Sequence, residues 1–496
     1  MALAWTSTTC SYSLTSGSYI LLVLLLLGLN SGICHGLGSF GFDIHHRFSD
    51  PVMQILGFEG LPEKRSVEYY VAMTHRDSII RGRHLAASNN QSPAPLTFAN
   101  GNDTFYLNNL GSLYYANVSV GTPSVSYLVA LDTGSDLFWL PCDCNNSTCE
   151  TSFQASSGRQ VVNFNIYSPN ASSTSKKVFC NSSNLCDPNQ CPSTNSDCAY
   201  TYPYLSNNTS TSGILVQDVL HLITDNDQSK AVNAPITFGC GKNETGILLN
   251  GIAPNGLLGL GLDDISVPST IARKELGPNS FSMCFGSDGI GRINFGDNGT
   301  SEQKETPFIV MPSSSTYLID ITQINVGVTV SKMEFNAIFD SGTSLTHLTD
   351  PVYTFISKTF NSQVTDNRHS SNSQLPFEYC YDLSANQTGH VIPIINLTMK
   401  GGDQYFLTNS TEIIFTAEGV YVYCLALLKS TDINIIGQNF MTGYHIVFNR
   451  DKMVLGWKPS NCYNDSNATT PSNHSLKLKA FTCAAMMLFV SFFAII

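Results

Sequence analysis

Charge is the scarcest property of this 496-residue chain, since Asp, Glu, Lys and Arg together make up 12% of it, about half the usual share. Surface polarity must then come mainly from Ser, Thr and Asn, a habit of extracellular glycoproteins. No dense run of Lys or Arg occurs, so nucleic acid is not expected as a partner. The spacing Cys-x-x-Cys is also missing, which weakens the case for a cysteine-built zinc site. What charge there is leans negative, to a formal −12. An acidic surface suits a protein working at low pH, and equally suits plain solubility.

Cysteine, by contrast, is plentiful: there are 15, an odd number. Cys10 and Cys34 fall in or beside an N-terminal targeting region, and Cys483 falls in an apolar C-terminal tail. The twelve that remain are Cys142, Cys144, Cys149, Cys180, Cys186, Cys191, Cys198, Cys240, Cys284, Cys380, Cys424 and Cys462. They suffice for six disulfides, whose pairing the sequence leaves open. Seven crowd into residues 142–198, and short spacings such as Cys142-Asp143-Cys144 keep zinc in view as an alternative. Disulfides are the expectation, because the region is dense in Asn-x-Ser/Thr sequons. Sequons recur along the chain, among them Asn117, Asn170, Asn181, Asn207, Asn208, Asn243, Asn298 and Asn396.

Both ends read as addresses. Residues 19–29 are apolar over about the length of a signal-peptide core, too short to span a bilayer comfortably. Residues 1–34 are assigned as signal peptide, although no Lys or Arg precedes that core. Residues 480–496 are apolar, behind a polar spacer at 469–479 and the small cluster Ser466-Asn467-Ala468. This is the pattern of a GPI-attachment signal over 464–496, with Ser466 one candidate attachment residue. A single-pass anchor is the alternative. It would put Lys477 and Lys479 on the outer side with nothing basic beyond, against the positive-inside tendency. The expected location is the outer face of the plasma membrane, held through a lipid. Residues 35–104 hold the basic pairs Lys64-Arg65 and Arg81-Gly82-Arg83, with a helix expected after Ser66 and a polar linker at 88–102. They read as a cleavable prosegment and linker, or as an extension without inhibitory work.

The body is built twice, over 105–303 and 304–463. An alternating run at 113–120 closes on Gly121-Thr122-Pro123, and the apolar run 127–131 leads into Asp132-Thr133-Gly134-Ser135. The pattern returns when 317–322 and 324–327 precede 335–339, which leads into Asp340-Ser341-Gly342-Thr343. Leu257-Leu258-Gly259 follows the first motif and Ile435-Ile436-Gly437 the second. A repeat of this size is a duplication, and short strands with turn residues make each copy an antiparallel β lobe. The cysteine-rich stretch 142–198 is then an insert in the first lobe.

Two aspartates in equivalent loops suggest a chemistry. Peptide hydrolysis without a nucleophilic side chain must activate a water and protonate a departing amine, and two carboxylates sharing one proton can do both. Close together they cannot both ionise easily. Gly134 and Gly342 let main-chain amides approach the carboxylates. Thr133 and Ser341 offer hydroxyls that could cross-link the loops, and Ser135 and Thr343 could orient each carboxylate from outside. One Asp-Ser/Thr-Gly is a weak signal, because such an Asp often satisfies its own turn. Two copies, each after an apolar strand and each paired with a downstream Gly, are a strong one.

Over nearly its whole body the chain resembles the pepsin-like aspartic proteases, and specifically the plant nepenthesin-like branch of GPI-anchored type. Residues 132–141, with Trp139, match the family's first active-site loop, and the cysteine-rich insert resembles the branch's own. Cys198-Ala199-Tyr200-Thr201-Tyr202-Pro203-Tyr204 stands where the family has its flap. That makes Tyr204 the flap tyrosine expected to close over substrate and bond Trp139, with Tyr202 a weaker candidate. The family's usual Gly-containing tip after this Tyr gives way to Leu205-Ser206-Asn207-Asn208-Thr209 with two overlapping sequons, where a glycan could restrict the cleft, which leaves substrate range open. The resemblance implies a mainly β, bilobal fold with a cleft between lobes, and an acid endopeptidase on Asp132 and Asp340. It implies polypeptide substrates, no metal or organic cofactor, and a monomer. A binding or inhibitor protein on the same fold is the rival, and an adhesion glycoprotein a more distant one.

Overall fold

The computed structural model describes residues 40–46, 49, 52 and 114–462, apart from the loops 145–147, 155–160, 205–208, 225–230, 251–252, 287–289, 312–313, 370–374, 384–391, 408–409, 417–418 and 461. The signal peptide, the helix expected after Ser66, the flap tip with Asn207 and Asn208, and the C-terminal tail with Ser466 lie outside the described residues. Among the described residues, no helix is long and apolar enough to cross a membrane.

The protein is mainly β, in two halves that repeat one plan. In the first half, alternation turns Ala116, Val118 and Val120 inward along strand Tyr114–Val120 and leaves Asn117 exposed. Strand Val125–Asp132 pairs antiparallel to it, with Tyr115 opposite Ala130. Its far edge is covered by Leu257–Gly259 running parallel, Asp132 opposite Gly259. Covered on both edges and faces, residues 127–131 are apolar without a break, as a fully buried strand requires. In the second half, Phe335–Phe339 lies antiparallel to Ser314–Val326 and parallel to Ile435–Ile436, Phe339 opposite Ile436. Crowding explains the glycine closing each parallel partner. A Cβ on Gly259 would stand 2.2 Å from the Asp136 carbonyl carbon, and one on Gly437 would stand 2.6 Å from that of Leu345.

A continuous ladder of six strands joins the halves. Phe40–His46 pairs with Ile290–Phe295, which pairs with Ser280–Phe285. Ser280–Phe285 then pairs across the seam with Tyr444–Asn449, followed by Val454–Pro459 and Lys304–Met311. The core runs through this seam. The rings of Phe281 and Phe448 stack at 4.7 Å, and Tyr317 of the second half donates its hydroxyl to the Leu260 carbonyl of the first at 2.5 Å. Strand Phe40–His46 falls within the segment read as prosegment, yet Phe40 and Ile44 are buried.

All twelve body cysteines are paired, as Cys142–Cys240, Cys144–Cys149, Cys180–Cys191, Cys186–Cys198, Cys284–Cys462 and Cys380–Cys424. The cysteine-rich insert does not hang free. Its Val178, Cys186 and Cys198 pack with Leu137, Trp139 and Leu215 in a small second core beneath the flap strand. Among the sequons, Asn117, Asn170, Asn181, Asn243 and Asn298 are exposed. Asn396 is buried, and its side-chain oxygen has no partner.

Candidate active site

Each candidate aspartate ends a buried strand and opens into a turn that folds back on its carboxyl group. Gly134 N–H donates to Asp132 Oδ1 at 2.8 Å, and Gly342 N–H to Asp340 Oδ1 at 2.7 Å. The Ser135 hydroxyl donates to Asp132 Oδ2 at 2.7 Å, and the Thr343 hydroxyl to Asp340 Oδ2 at 2.6 Å. The same two donors hold each group in the same way.

The turns are bolted together by a reciprocal pair of hydroxyls. Thr133 Oγ1 accepts from Ser341 N–H at 2.9 Å and donates to the Phe339 carbonyl at 3.1 Å. Ser341 Oγ accepts from Thr133 N–H at 3.2 Å and donates to the Leu131 carbonyl at 3.4 Å. Thr133 and Ser341 are both fully buried. A polar bridge with every donor matched holds its geometry well away from water. It brings the two carboxyl groups together: a Cβ on Gly342 would stand 2.5 Å from Asp132 Oδ1 and 3.0 Å from Asp340 Oδ1. Both oxygens therefore lie within 3.0 Å of one point, which only glycine leaves open.

Against the Asp132 loop lies the strand Ala199–Pro203, the expected flap, held to Ser210–Thr224 with Tyr202 opposite Thr211. Tyr204 N–H donates to the Thr209 carbonyl at 2.9 Å. The two flap tyrosines take different partners. Trp139 is fully buried, and its indole N–H donates to the Tyr204 hydroxyl at 2.6 Å. Burial holds the Tyr204 phenol well above its ordinary pKa, so it stays protonated. Tyr202 instead accepts from Asp136 N–H at 3.0 Å and donates to Asp136 Oδ2 at 3.3 Å.

Asp136 is the residue that the sequence reading passed over. It is buried, Oδ1 accepting from Asp263 N–H at 2.9 Å and Oδ2 from the Ser315 hydroxyl at 2.5 Å. Burial raises its pKa, and the hydrogen bonds from Ser315 and Asp263 pull against that. The available signal was a lone acid set into Leu137-Phe138-Trp139. Among the described residues, no cluster of three or more His, Cys, Asp or Glu has the placement to hold a metal ion.

Two β halves of one plan, meeting at paired Asp-Thr/Ser-Gly turns under a flap, define the pepsin-like aspartic endopeptidases, a class of hydrolase. Family models agree on the two-part plan: one described as xylanase inhibitor N-terminal matches residues 114–297, and one described as xylanase inhibitor C-terminal matches 316–459. The chain is 52% identical to aspartyl protease family protein 1 of Arabidopsis thaliana over 92% of its own length and 88% of that protein. It is 28% identical to aspartic proteinase nepenthesin-2 of Nepenthes gracilis, over 70% of its length and 78% of that protein. Among solved structures, basic 7S globulin from soybean superposes with a TM-score of 0.55 at 19% identity, over 71% of this chain and 93% of that one. The chain belongs to the plant family of pepsin-like aspartic proteases.

Proposed function

We propose that the protein hydrolyses polypeptides at acidic pH, with Asp132 and Asp340 as the catalytic pair. The observation that carries this reading is the convergence of both carboxyl groups on one point, fixed by the Thr133–Ser341 bridge. With one proton between them, the ionised carboxyl takes a proton from a water, whose oxygen attacks the substrate carbonyl. The protonated carboxyl gives its proton to the carbonyl oxygen, and a tetrahedral diol forms. Collapse breaks the C–N bond: the departing nitrogen takes up the proton held by the pair while a diol hydroxyl returns one to it, leaving a carboxylic acid, an amine and a pair that again holds one proton. Such sharing of one proton is the established behaviour of aspartic-protease dyads. An extended substrate would lie beneath the flap and add strand-like hydrogen bonds.

Replacing either carboxylate by its amide, Asp132→Asn or Asp340→Asn, should lower acid cleavage of a denatured protein by roughly a thousandfold or more, since the pair acts as a unit. Cleavage that persists in both variants and in the presence of pepstatin would sink the mechanism.

The rival reading is a binding or inhibitor protein on the same fold, favoured by the xylanase-inhibitor description of the matching family models. Against it, both aspartates and both following glycines are present. An intact chain that cleaves nothing after deglycosylation would favour the rival.

We further propose a secreted, glycosylated monomer, tethered to the outer cell surface by a GPI lipid and with no nucleic-acid partner. This rests on the apolar ends, the sequons and the six disulfides. A phosphatidylinositol-specific phospholipase should release the activity from plant membranes, and activity left in the membrane pellet would refute the anchor.

A further inference from the structure

Besides the tyrosine–tryptophan bond, the flap is attached through a carboxylate for which the proposed reaction has no use. Side chains two residues apart on a strand face the same way. Tyr202 and Tyr204 thus turn together toward the first aspartate loop, their ring centroids 5.4 Å apart. Tyr204 reaches Trp139, whereas the Tyr202 hydroxyl closes a two-point contact with Asp136, to its amide and to its carboxyl oxygen. Asp136 is the residue next to Ser135, whose hydroxyl orients Asp132. Its remaining bonds lead away from the flap. One goes to the amide of Asp263, just past the buried strand Leu257–Gly259. The other goes to Ser315, at the start of a long strand of the second half. The Ser315 carbonyl also receives Leu262 N–H at 2.9 Å, so this junction is pinned at two points.

We propose that Asp136 is a positioning residue for the flap: it seats Tyr202 against the Asp132 loop and, through Ser315, refers that seat to the second half of the molecule. A buried carboxylate with three donors, one from each element it joins, is costly unless all are kept. The three elements therefore hold one relative position. The base of the flap at Tyr202 is thereby seated, and Tyr204 is presented to Trp139 from that seat. Asp136 touches neither Asp132 nor Asp340 through any of these bonds, so its influence is on substrate capture more than on bond breaking. A purely local role, capping the turn at Asp263, would need neither Tyr202 nor Ser315.

This inference rests on the protease reading for its kinetic consequence, but not for its physical one, so the test has two readouts. The first is hydrogen exchange by mass spectrometry on the full chain, read over 199–204 and 209–213. In Tyr202→Phe, which removes only the hydroxyl, flap exchange should run about tenfold faster, with strands 125–132 and 335–339 unchanged. KM for an extended peptide should rise about tenfold with kcat within about twofold. Asp136→Asn keeps the shape and can donate to both hydroxyls, so it should stay within about threefold of the parent, while Asp136→Ala should match Tyr202→Phe. Flap exchange in Tyr202→Phe equal to the parent, or acceleration spread evenly over the body strands, overturns the proposal. So does a loss confined to kcat. A parent that cleaves nothing would defeat the protease reading and leave the exchange result to decide this one.

Discussion

Glu244 lies on strand Ala231–Glu244, and burial there raises its carboxyl to a pKa of about 8. One oxygen accepts from Glu150 N–H at 3.2 Å and the other has no partner. A carboxyl whose pKa is higher folded than unfolded stabilises the fold fully below its unfolded value, near 4.5, and that stability is lost as pH rises through about 8. Glu244→Gln should therefore leave the melting temperature at pH 4 unchanged and raise it at pH 7 by roughly 3 °C or more. Calorimetry at the two pH values checks this, and an equal shift at both would contradict it. Neither Glu244 nor Asp136 could be read from the sequence. An isolated acid gives no sign of how deeply it will be buried or of who will face it. Thr133, Ser135, Ser341 and Thr343 could be named beforehand because duplication wrote each hydroxyl twice at the same offset from an aspartate.

Among the elements, the strand Phe40–His46 departs most from what its sequence suggests. Gly41, Asp43 and two histidines dilute the apolar pattern, and its register is fixed by Ile290–Phe295, some 250 residues away. Within the full-length chain it is a core strand. Ile44 is fully buried, and Asp43 pairs with Arg292 at 2.8 Å. Truncating Ile44→Ala in that chain should cost about 3 kcal/mol, read as a lower urea midpoint at unchanged slope. A midpoint within error of the parent would mean that the strand carries no stability. The cysteine-rich insert was recognised by composition alone. Its mechanical duty became visible only with Val178, Cys186 and Cys198 packed behind Trp139, a contact that no local pattern encodes.

For the whole molecule, the twofold plan was legible because two strands, two aspartate turns and two closing glycines recur in order. The seam between the halves was not, since Ser280–Phe285 and Tyr444–Asn449 look like any buried strands until they pair. Across that seam, Asp297 meets His445 Nε2 at 3.0 Å. Burial alone would raise Asp297, but His445, with Ser282 and Gly299, outweighs it and brings the pKa down to about 2. Such a carboxylate contributes stability that is present above the unfolded value of 3.8 and lost only as pH falls through about 2. The joint between the halves thus survives the acidity that the proposed chemistry uses.

The six-strand ladder also orders events during synthesis. Tyr444–Asn449 and Val454–Pro459 fill two of its interior places, and they leave the ribosome after both aspartate turns. Contacts so distant along the chain form late. A nascent chain stopped short of residue 444 already carries both turns and the Thr133–Ser341 bridge, but lacks the two strands that complete the ladder between the halves. The strands that complete the joint between the halves are thus among the last of the described body to be made.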